Sequence, residues 1–300
     1  MHNVIIPDPL KRGDKVAIVS PAGITRPQNV YAAIPVLQSL GWKPYTSPHA
    51  FGRHGTYSGT SDERYSDLET ALLDPSVKAI LCSRGGYGAV HLLDRLDRLP
   101  LRDNAKWIIG FSDISALHAL MHRHGIASVH GPMARHIASH AGADNDSRAL
   151  FGILQGELPS YNVEPHPLNR NGRASGTLLG GNMAVLTALI GTPYDILKPD
   201  TILFVEDVSE PVYKIERMMY QLKLSGVLGR LKGLIVGDFT EYSPDVDGRS
   251  MEEMISELVA EYAYPVAYGV PFGHAAAIMP FVESIPATFT VETDGVLIEQ

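Results

Sequence analysis

The sequence has little cysteine and little tryptophan, and it contains no long apolar run and no dense cluster of basic residues. Cys82 is the only cysteine among 300 residues, so no disulfide can form within the chain, and this favours a reducing compartment. Proline, glycine or charged residues interrupt each apolar stretch well before it reaches the length of a membrane span. The N-terminal segment lacks the basic start, apolar core and small-residue cleavage site of a signal peptide. We therefore expect a cytoplasmic protein.

Acidic residues outnumber basic residues by 33 to 25, which gives a formal net charge of −8. A protein that binds nucleic acid over a large surface carries a basic patch or stripe, and no dense run of lysine and arginine is present here. The hydrophobic fraction of 45% is that of a globular protein with an ample core. We expect no nucleic-acid partner and no membrane partner, and the length suits two domains of ordinary size.

The first half of the sequence repeats one pattern, in which a short β-rich run is followed by a turn and a helical pattern. The β-rich runs are Lys15–Ser20, Lys78–Ser83 and Trp107–Phe111, and the helical patterns are Asn29–Leu40, Ala89–Leu96 and Ile114–His124. This repetition predicts an α/β fold with a doubly wound parallel sheet. Ligands of such sheets bind beyond the carboxyl ends of the strands. The sharp turns at 84–88 and 110–113 are predicted to lie at that edge.

Residues 146–175 are polar and rich in proline, asparagine and glycine. We interpret them as the crossing between an N-terminal domain, residues 1–145, and a C-terminal domain, residues 176–300. The second half has its own β-rich runs and helical patterns. The β-rich runs are Thr201–Glu206, Gly233–Gly237 and Pro286–Val291, and the helical patterns are Asn182–Ile190, Tyr213–Leu224 and Met251–Tyr262.

Ser112 follows Gly110 and Phe111 at a predicted junction between a strand and a helix. A serine on so sharp a turn can expose its hydroxyl above the sheet, near the positive end of the helix, as a nucleophile requires. Serine at such a place can also serve simply as a helix cap. The α/β-hydrolase motif G-x-S-x-G is incomplete, because Ile114 stands where its last glycine would be. The turn alone leaves both roles open.

The glycine-rich turn Arg84–Gly88 offers backbone N–H groups that a ligand can approach closely. An oxyanion hole and a phosphate cradle both use such groups. The dinucleotide motif G-x-G-x-x-G is not completed after Gly88, and no P-loop lysine follows. A plain tight turn is the alternative, since glycine is the usual residue of turns.

Glu206 ends an apolar strand pattern, and His274 lies in a loop defined by proline and glycine. A carboxylate at the end of a strand can hold an imidazole in the tautomer that serves as a base. Both side chains can equally face water, which is the usual state of glutamate and of a histidine in a loop. With twelve histidines in the chain, position alone does not single out His274.

Two other sets of residues have metal-binding or nucleophilic chemistry. His118 and His122 are one helical turn apart, which suits two ligands of a metal, but no glutamate lies between them as in H-E-x-x-H and no third ligand is evident. A catalytic zinc site needs three protein ligands, so we predict no metal. Cys82 lies within an apolar strand pattern and is interpreted as a core residue. No motif for a cofactor is complete, and we predict none.

Taken in order, six segments resemble the LD-carboxypeptidase family, which includes murein tetrapeptide carboxypeptidases and microcin-immunity peptidases. The segments are GDKVAIVSPAG, CSRGGYGAVHLLDRLD, IIGFSDISALH, GTLLGGNMAVLTALIGTPY, ILFVEDVSEPVYKIERMMYQLKLSG and YGVPFGH. The resemblance covers nearly the whole chain. It implies a parallel α/β N-terminal domain, a smaller and mostly β C-terminal domain, and an active site between them.

The resemblance also implies a serine peptidase with a catalytic triad and no metal. The nucleophile is the serine of the family's G-x-S-D segment, which is Ser112 here. The acid is the glutamate of the E-D pair, here Glu206, and the base is the histidine of the late G-H pair, here His274. Two backbone N–H groups are expected to form the oxyanion hole, that of Asp113 and that of Gly86. The neighbouring Gly85 is the alternative to Gly86.

The implied reaction releases terminal D-Ala from cytosolic murein tetrapeptides during cell-wall recycling. The bond cut would join the L-centre of a diamino acid to D-Ala. The family also leads us to expect a homodimer. The sequence departs from the family after His274, where residues 275–283 read AAAIMPFVE instead of a longer polar stretch that ends in Leu-Pro-Leu-Gly. This departure concerns the recognition of the substrate rather than the triad.

Two alternative functions are open. A microcin-immunity-like peptidase would cleave peptidyl or aminoacyl nucleotides and would use an aromatic side chain to stack the base. Trp42 and Trp107 lie in the N-terminal domain, and the loop 172–182 carries no aromatic residue, which leaves Tyr194 and Tyr213 for that role. The other alternative is a catalytically silent two-domain protein that binds a peptide, against which the complete set of serine, glutamate and histidine argues.

Overall fold

The computed structural model describes residues 4–300, and the chain divides into two compact units. The first unit runs to Leu158 and also takes in Met279–Val282. The second unit comprises Pro159–Ile278 and Glu283–Gln300. The chain therefore returns briefly to the first unit near its C-terminal end. Across residues 4–300, no helix has both the length and the apolar character that a bilayer crossing demands.

Strands and helices alternate along most of the chain. The strands are β1 (Lys15–Val19), β2 (Lys43–Thr46), β3 (Val77–Cys82), β4 (Trp107–Gly110), β5 (Ser128–His130), β6 (Ser160–Val163), β7 (Gly172–Asn182), β8 (Thr201–Val208), β9 (Gly233–Thr240), β10 (Val266–Ala267), β11 (Phe281–Glu283), β12 (Pro286–Glu292) and β13 (Gly295–Glu299). The α-helices are α1 (Pro27–Tyr31), α2 (Ala33–Ser39), α3 (Ser61–Leu73), α4 (Leu93–Leu96), α5 (Ser115–Arg123), α6 (Ala134–His140), α7 (Asn145–Leu154), α8 (Met183–Ala188), α9 (Val212–Leu224) and α10 (Met251–Val259). Short 3₁₀ helices span Ala89–Leu92, Leu101–Asn104, Ser112–Ile114 and Leu228–Arg230.

The first unit is built on a six-stranded sheet with the order β11-β5-β4-β3-β1-β2. The pairs β1–β2, β1–β3, β3–β4 and β4–β5 are all parallel, which confirms the parallel α/β fold expected from the sequence. Cys82 and Trp107 lie on neighbouring strands and are almost completely buried. Both are therefore core residues, and burial raises the pKa of the Cys82 thiol far above its usual value.

One helix of the first unit differs from the sequence prediction. The pattern at 29–40 predicts a single helix, whereas the structure has α1 and α2, with Ala32 between them. Pro35 lies in the first turn of α2. A proline has no N–H to donate, and its ring clashes with the carbonyl group four residues earlier, so a continuous helix cannot pass through this position. The proline is tolerated because a new helix starts just before it.

The second unit contains a seven-stranded mixed sheet with the order β10-β9-β8-β7-β12-β13-β6. Strands β7 to β10 pair in parallel, whereas β12 and β13 are antiparallel to their neighbours. Helices α8, α9 and α10 connect the parallel strands. The two-domain α/β fold is thus confirmed, with a mixed sheet in the C-terminal part. Residues 146–175 contain most of α7, all of β6 and the start of β7.

Candidate active site

Ser112 lies in the turn that leaves β4 and enters α5. Its φ angle is 65°, a left-handed conformation that is uncommon for any residue other than glycine. Such a turn at the end of a parallel strand is the geometry that raises a nucleophile above a sheet. Ser112 is the first residue of the 3₁₀ helix, and the N-cap position before it belongs to Phe111. Ser112 is therefore not the residue that caps this helix, which was the alternative role open from the sequence.

The glycine-rich turn after β3 packs directly against this serine. A Cβ atom placed on Gly85 would lie 2.7 Å from the Cβ of Ser112 and 2.8 Å from its Oγ. Atoms do not approach this closely without displacement, so no larger residue fits at position 85 while Ser112 keeps its place. The two turns that the sequence predicted at one edge of the sheet are therefore brought together around the serine hydroxyl.

The turn after β1 packs against the glycine-rich turn through Gly23. The backbone N–H of Gly23 donates to the carbonyl oxygen of Gly85, with an N···O distance of 3.2 Å. Gly86 has a φ angle of 128°, and a Cβ on it would lie 2.8 Å from the Cα of Gly23. The backbone N–H groups of Gly85 and Gly86 donate to no other residue within 4–300. Unused donors next to a nucleophile are what an oxyanion hole requires.

Asp113 contributes its side chain as well as its backbone to this arrangement. Its Oδ2 accepts a hydrogen bond of 2.8 Å from the backbone N–H of Ala89, which ends the glycine-rich turn. Burial raises the pKa of Asp113, and the hydrogen bond from Ala89 and the nearby charge of Arg64 oppose that shift. The carboxyl group therefore ties the serine turn to the glycine turn. Sequence reasoning missed this role because the two residues are 24 positions apart.

Arg64 on α3 ties the turn after β1 to the glycine-rich turn. Its Nη1 donates to the carbonyl oxygen of Pro21 at 2.6 Å and to that of Gly88 at 2.8 Å. The side chain is almost completely buried, and this burial lowers the pKa of Arg64. An arginine within a helix gives no sequence signal that its side chain will bond to the carbonyl groups of two distant turns. Removing it would leave the buried carbonyl group of Pro21 without this donor, whereas that of Gly88 would keep its bond from the backbone N–H of His91.

In the second unit, Glu206 and His274 form a short hydrogen bond. The Nδ1 of His274 lies 2.6 Å from the Oε2 of Glu206. The Glu206 side chain is completely buried, and the His274 side chain is 21% exposed. Because a carboxylate only accepts, Nδ1 carries the proton in this bond, and Nε2 is the ring nitrogen whose lone pair a base would use. The sequence predicted Glu206 at the end of a strand and His274 in a distant loop, and the fold brings them together.

The surroundings of His274 make it a stronger base than a free histidine. Burial by itself lowers the pKa of His274, but the hydrogen bond to Glu206 and the negative charges of Glu206, Asp207 and Glu241 outweigh it. The pKa of His274 is therefore raised above its usual value of 6.5. Buried Glu206 acts on the imidazole at close range, where the electrostatic effect of a carboxylate is strongest.

The backbone conformation at Gly273 allows the histidine loop to approach Glu206 closely. Gly273 has a φ angle of 116°, and a Cβ on it would lie 3.0 Å from the Cβ of Glu206 and 3.1 Å from its Oε2. Opposite Glu206, the pairing of β8 with β9 shifts register between Val205 and Asp207. A bulge of this kind re-aims a side chain at the end of a strand. Glycine before His274 is thus a steric requirement of the pair.

Two further acids lie close to Glu206. Asp207 accepts hydrogen bonds from the Nδ2 of Asn182 and from the backbone N–H groups of Ala184 and Val208. Burial raises the pKa of Asp207 to about 6, and the charge of Glu206 contributes to this. The pKa of Asp238 is raised to about 6 as well, by burial and then by Glu206. Asp207 therefore serves the start of α8, and Glu206 is the acid that holds the imidazole.

The histidines considered for metal binding have other partners. The two ring nitrogens of the completely buried His118 lie 2.9 Å from the hydroxyl of Ser128 and 2.8 Å from the carbonyl oxygen of Gly110. Burial lowers the pKa of His118 to about 4, so the ring is neutral and donates to Gly110. With both nitrogens engaged, His118 offers no lone pair to a metal. It supports the end of β4, two residues before Ser112.

A different group of side chains has the spacing of metal ligands. Atoms of His136, His140 and Asp144 lie within 4.8 Å of one another in the part of the chain that the structure describes. Asp144 accepts a hydrogen bond of 3.0 Å from His136 and caps the start of α7 through the N–H of Ser147. Both bonds are made by the Oδ1 of Asp144, which therefore has partners within the protein.

Comparisons with known proteins cover most of the chain. Residues 16–131 match the model of the LD-carboxypeptidase N-terminal domain, and residues 175–289 match that of the LD-carboxypeptidase C-terminal domain. The murein tetrapeptide carboxypeptidase of Pseudomonas aeruginosa is 33% identical over 276 residues, which are 87% of this chain and 88% of that protein. The microcin C7 self-immunity protein MccF of Escherichia coli is 28% identical over 302 residues, covering 89% and 87%.

A solved structure gives the same result at the level of the fold. The crystal structure of muramoyltetrapeptide carboxypeptidase from Oxalobacter formigenes has a TM-score of 0.86 and 29% identity, over 95% of this chain and 98% of that one. Both halves of the sequence match the family, the fold agrees, and the serine turn and the acid–histidine pair lie within the matched residues. The chain therefore belongs to the LD-carboxypeptidase family and is a serine-type peptidase.

Proposed function

We propose that the protein releases terminal D-Ala from murein tetrapeptides, with Ser112 as nucleophile, His274 as base and Glu206 as the acid of the triad. The observation that carries this proposal is the 2.6 Å hydrogen bond between buried Glu206 and the Nδ1 of His274. A buried carboxylate bonded to Nδ1 has the role of the third member of a serine-hydrolase triad. The left-handed turn at Ser112 supports the assignment of the nucleophile.

In the first half of the reaction, the Nε2 of His274 takes the proton of Ser112 as its Oγ attacks the scissile carbonyl carbon. The raised pKa of His274 favours the imidazolium that forms, and the charge of Glu206 stabilises it. The C–N bond then breaks, and His274 gives its proton to the amine of the departing D-Ala. The remainder of the peptide stays on Ser112 as an ester.

The oxyanion of the tetrahedral intermediate is stabilised by backbone donors around Ser112. The N–H of Asp113 follows the nucleophile directly, and the unused N–H of Gly86 lies in the turn that packs against it. Gly85 is the alternative to Gly86, and a Cβ atom placed on Gly85 would lie 2.8 Å from the Oγ of Ser112. Loss of one such donor costs about 3 kcal/mol of transition-state stabilisation in a serine peptidase.

In the second half of the reaction, water replaces the amine. His274 takes a proton from the water as it attacks the ester carbonyl, and the proton returns to the Oγ of Ser112 when the C–O bond breaks. The products are D-Ala and a tripeptide. All proton transfers use the same imidazole, which Glu206 keeps in one tautomer throughout.

The substrate is proposed from the relatives rather than from the site. Relatives that cover most of the chain are named as murein tetrapeptide and muramoyltetrapeptide carboxypeptidases. We propose that the protein acts in the cytoplasm on peptides recovered from the cell wall, and that it forms a homodimer. The single buried cysteine agrees with a reducing compartment.

The second candidate is cleavage of an aminoacyl-nucleotide conjugate, since one relative is a microcin C7 self-immunity protein. Tyr213 on α9 is 57% exposed and is available as a platform for a base. The two candidates are separated by a competition in one tube, with D-Ala and nucleotide release measured together. We expect a higher kcat/KM for the tetrapeptide. A higher kcat/KM for the conjugate would overturn the murein assignment and leave the triad intact.

A further inference from the structure

Two arginines lie beside the turn that packs against Ser112. Arg84 opens the glycine-rich turn and directly precedes Gly85, whose Cα faces the serine side chain. Arg135 is the second residue of α6, and its backbone N–H donates to the carbonyl oxygen of Ser83 at 3.1 Å. The start of α6 is thus fixed to the residue that immediately precedes Arg84. The backbones of both arginines are therefore fixed next to the glycine-rich turn, at the edge of the sheet where Ser112 lies.

Neither guanidinium has a carboxylate partner among residues 4–300. Arg84 is partly buried and donates through its Nη1 to the carbonyl oxygen of Ile24 at 3.2 Å. Arg135 is exposed and makes no ion pair within the same residues. Burial lowers the pKa of Arg84, and the positive charge of Arg135 lowers it further. The two like charges therefore interact, and no acid in this part of the molecule offsets them.

An anion that binds between two cationic groups offsets their mutual repulsion. The chain carries a net charge of −8, so acidic side chains are plentiful, yet none is placed here. Functional sites are where like charges and burial are found together without compensation. A guanidinium group has a planar fork of donors that matches a carboxylate, and two of them can hold both oxygens of one.

We propose that Arg84 and Arg135 bind the terminal carboxylate of the residue that the enzyme releases. The inference rests on the proposed function, and it explains why the enzyme would act only at the end of a peptide. In a peptide with terminal D-Ala, a single residue separates the scissile carbonyl from the free carboxylate. A cationic pair beside Ser112 would place that residue as the leaving group and reject peptides that continue past it.

Two peptides that differ only in the terminal group test the proposal. One is an acetylated tetrapeptide with a free D-Ala carboxylate, and the other is its C-terminal amide. Arg135→Gln is the main variant because the side chain is exposed, and substitutions of exposed residues usually change stability little. Arg84→Lys keeps the positive charge and removes the paired N–H donors of the guanidinium group. Arg148→Gln, on the exposed face of α7 in the same unit, is the control with the same change of charge.

We expect the wild type to prefer the acid over the amide by roughly 10- to 100-fold in kcat/KM, as hydrogen bonds between charged groups imply. Arg135→Gln should raise KM for the acid about tenfold and leave kinetics on the amide unchanged. Arg84→Lys should weaken the preference in the same way, and Arg148→Gln should behave as the wild type. Equal use of acid and amide by the wild type, or an unchanged preference in both arginine variants, would overturn the subsite while D-Ala release stands.

Binding separates this outcome from a failure of the proposed function. If the wild type cleaves neither peptide, calorimetry on Ser112→Ala measures their affinities directly. Tighter binding of the acid, lost with Arg135→Gln in the same background, would support a carboxylate subsite in a protein with another substrate. Equal affinities for acid and amide would rule the subsite out.

Discussion

The Nδ1 of His274 lies 2.6 Å from the Oε2 of Glu206, although the two residues are 68 positions apart in the chain. Glu206 lies in the buried part of β8, and Gly273 gives the histidine loop the room to approach it. The other carboxylate oxygen of Glu206 is buried and has no hydrogen-bond partner in the described part of the chain. The hydrogen bonding of this carboxylate within residues 4–300 is therefore directed to the imidazole of His274.

Glu206→Gln should lower kcat by about 10³- to 10⁴-fold with little change in KM, because an amide does not hold the imidazole in the required tautomer. The wild-type kcat/KM should fall as the pH drops through a pKa above 6.5, since His274 must be neutral to act as base. In the variant the hydrogen bond and the charge of Glu206 are gone, and burial, which lowers the pKa of His274, is the largest effect that remains. The acid limb of the pH profile of kcat/KM should therefore move to lower pH. Stopped assays across pH 5–9 measure both changes.

The control for this prediction is Glu164→Gln, a change of the same kind on an exposed residue of the second unit. It should alter neither kcat nor the position of the acid limb. An acid limb that stays in place in Glu206→Gln would show that His274 is not the titrating base.

Asp207→Asn should be milder for catalysis than Glu206→Gln. Asp207 accepts hydrogen bonds from the Nδ2 of Asn182 and from two backbone N–H groups, so its role is to hold the start of α8. An amide would point an N–H group at one of these donors, and the melting temperature should fall by a few degrees. Thermal unfolding and kcat are measured on the same samples. A larger loss of kcat than in Glu206→Gln would make Asp207 the acid of the triad.

Gly85→Ala should abolish most activity while the protein still folds. The new methyl group would lie 2.8 Å from the Oγ of Ser112, so the serine must move from its turn. A shift of about 1 Å at a reacting atom costs on the order of 100-fold in rate. Gly229→Ala is the control, because a Cβ there would meet its nearest neighbour at 3.6 Å. Full activity in Gly85→Ala would mean that this turn does not border the nucleophile.

The parallel sheet was predictable because its strands are short apolar runs followed by glycine-rich turns, and this pattern is local in sequence. The break between α1 and α2 was predictable in principle from Pro35, which the helical spacing of the apolar residues obscured. Strand β11 was not predicted, since three residues give no periodic signal and the chain returns to the first sheet only there.

The site was predictable as a set of residues and not as a set of contacts. Ser112, Glu206 and His274 were assigned by resemblance, because a serine turn, a strand-end glutamate and a loop histidine are each common. The bond from Ala89 to Asp113 and those from Arg64 to two turns join residues far apart in the chain. The bonds of Arg64 depend on the packing of α3 against the sheet, and the Ala89–Asp113 bond depends on the pairing of β3 with β4. No local sequence pattern specifies either arrangement.

Activity should be unchanged by EDTA, because the proposed hydrolysis uses an imidazole and backbone donors. His118 has both ring nitrogens engaged by Ser128 and Gly110, so it cannot take up a metal without breaking the support of β4. The measurement is D-Ala release before and after prolonged dialysis against the chelator. If the chelator abolished activity and added zinc restored it, the hydrolysis would depend on a metal and the proposed mechanism would be wrong.

The most direct test of the account is D-Ala release by Ser112→Ala. Wild type and variant are incubated with a murein tetrapeptide, and free D-Ala is measured over a time long enough to detect a 10⁴-fold slower reaction. We expect the variant to fold with unchanged circular dichroism and to lose activity by roughly 10³-fold or more, as loss of a triad nucleophile does. A folded variant that keeps more than a few per cent of the wild-type rate would contradict Ser112 as the nucleophile.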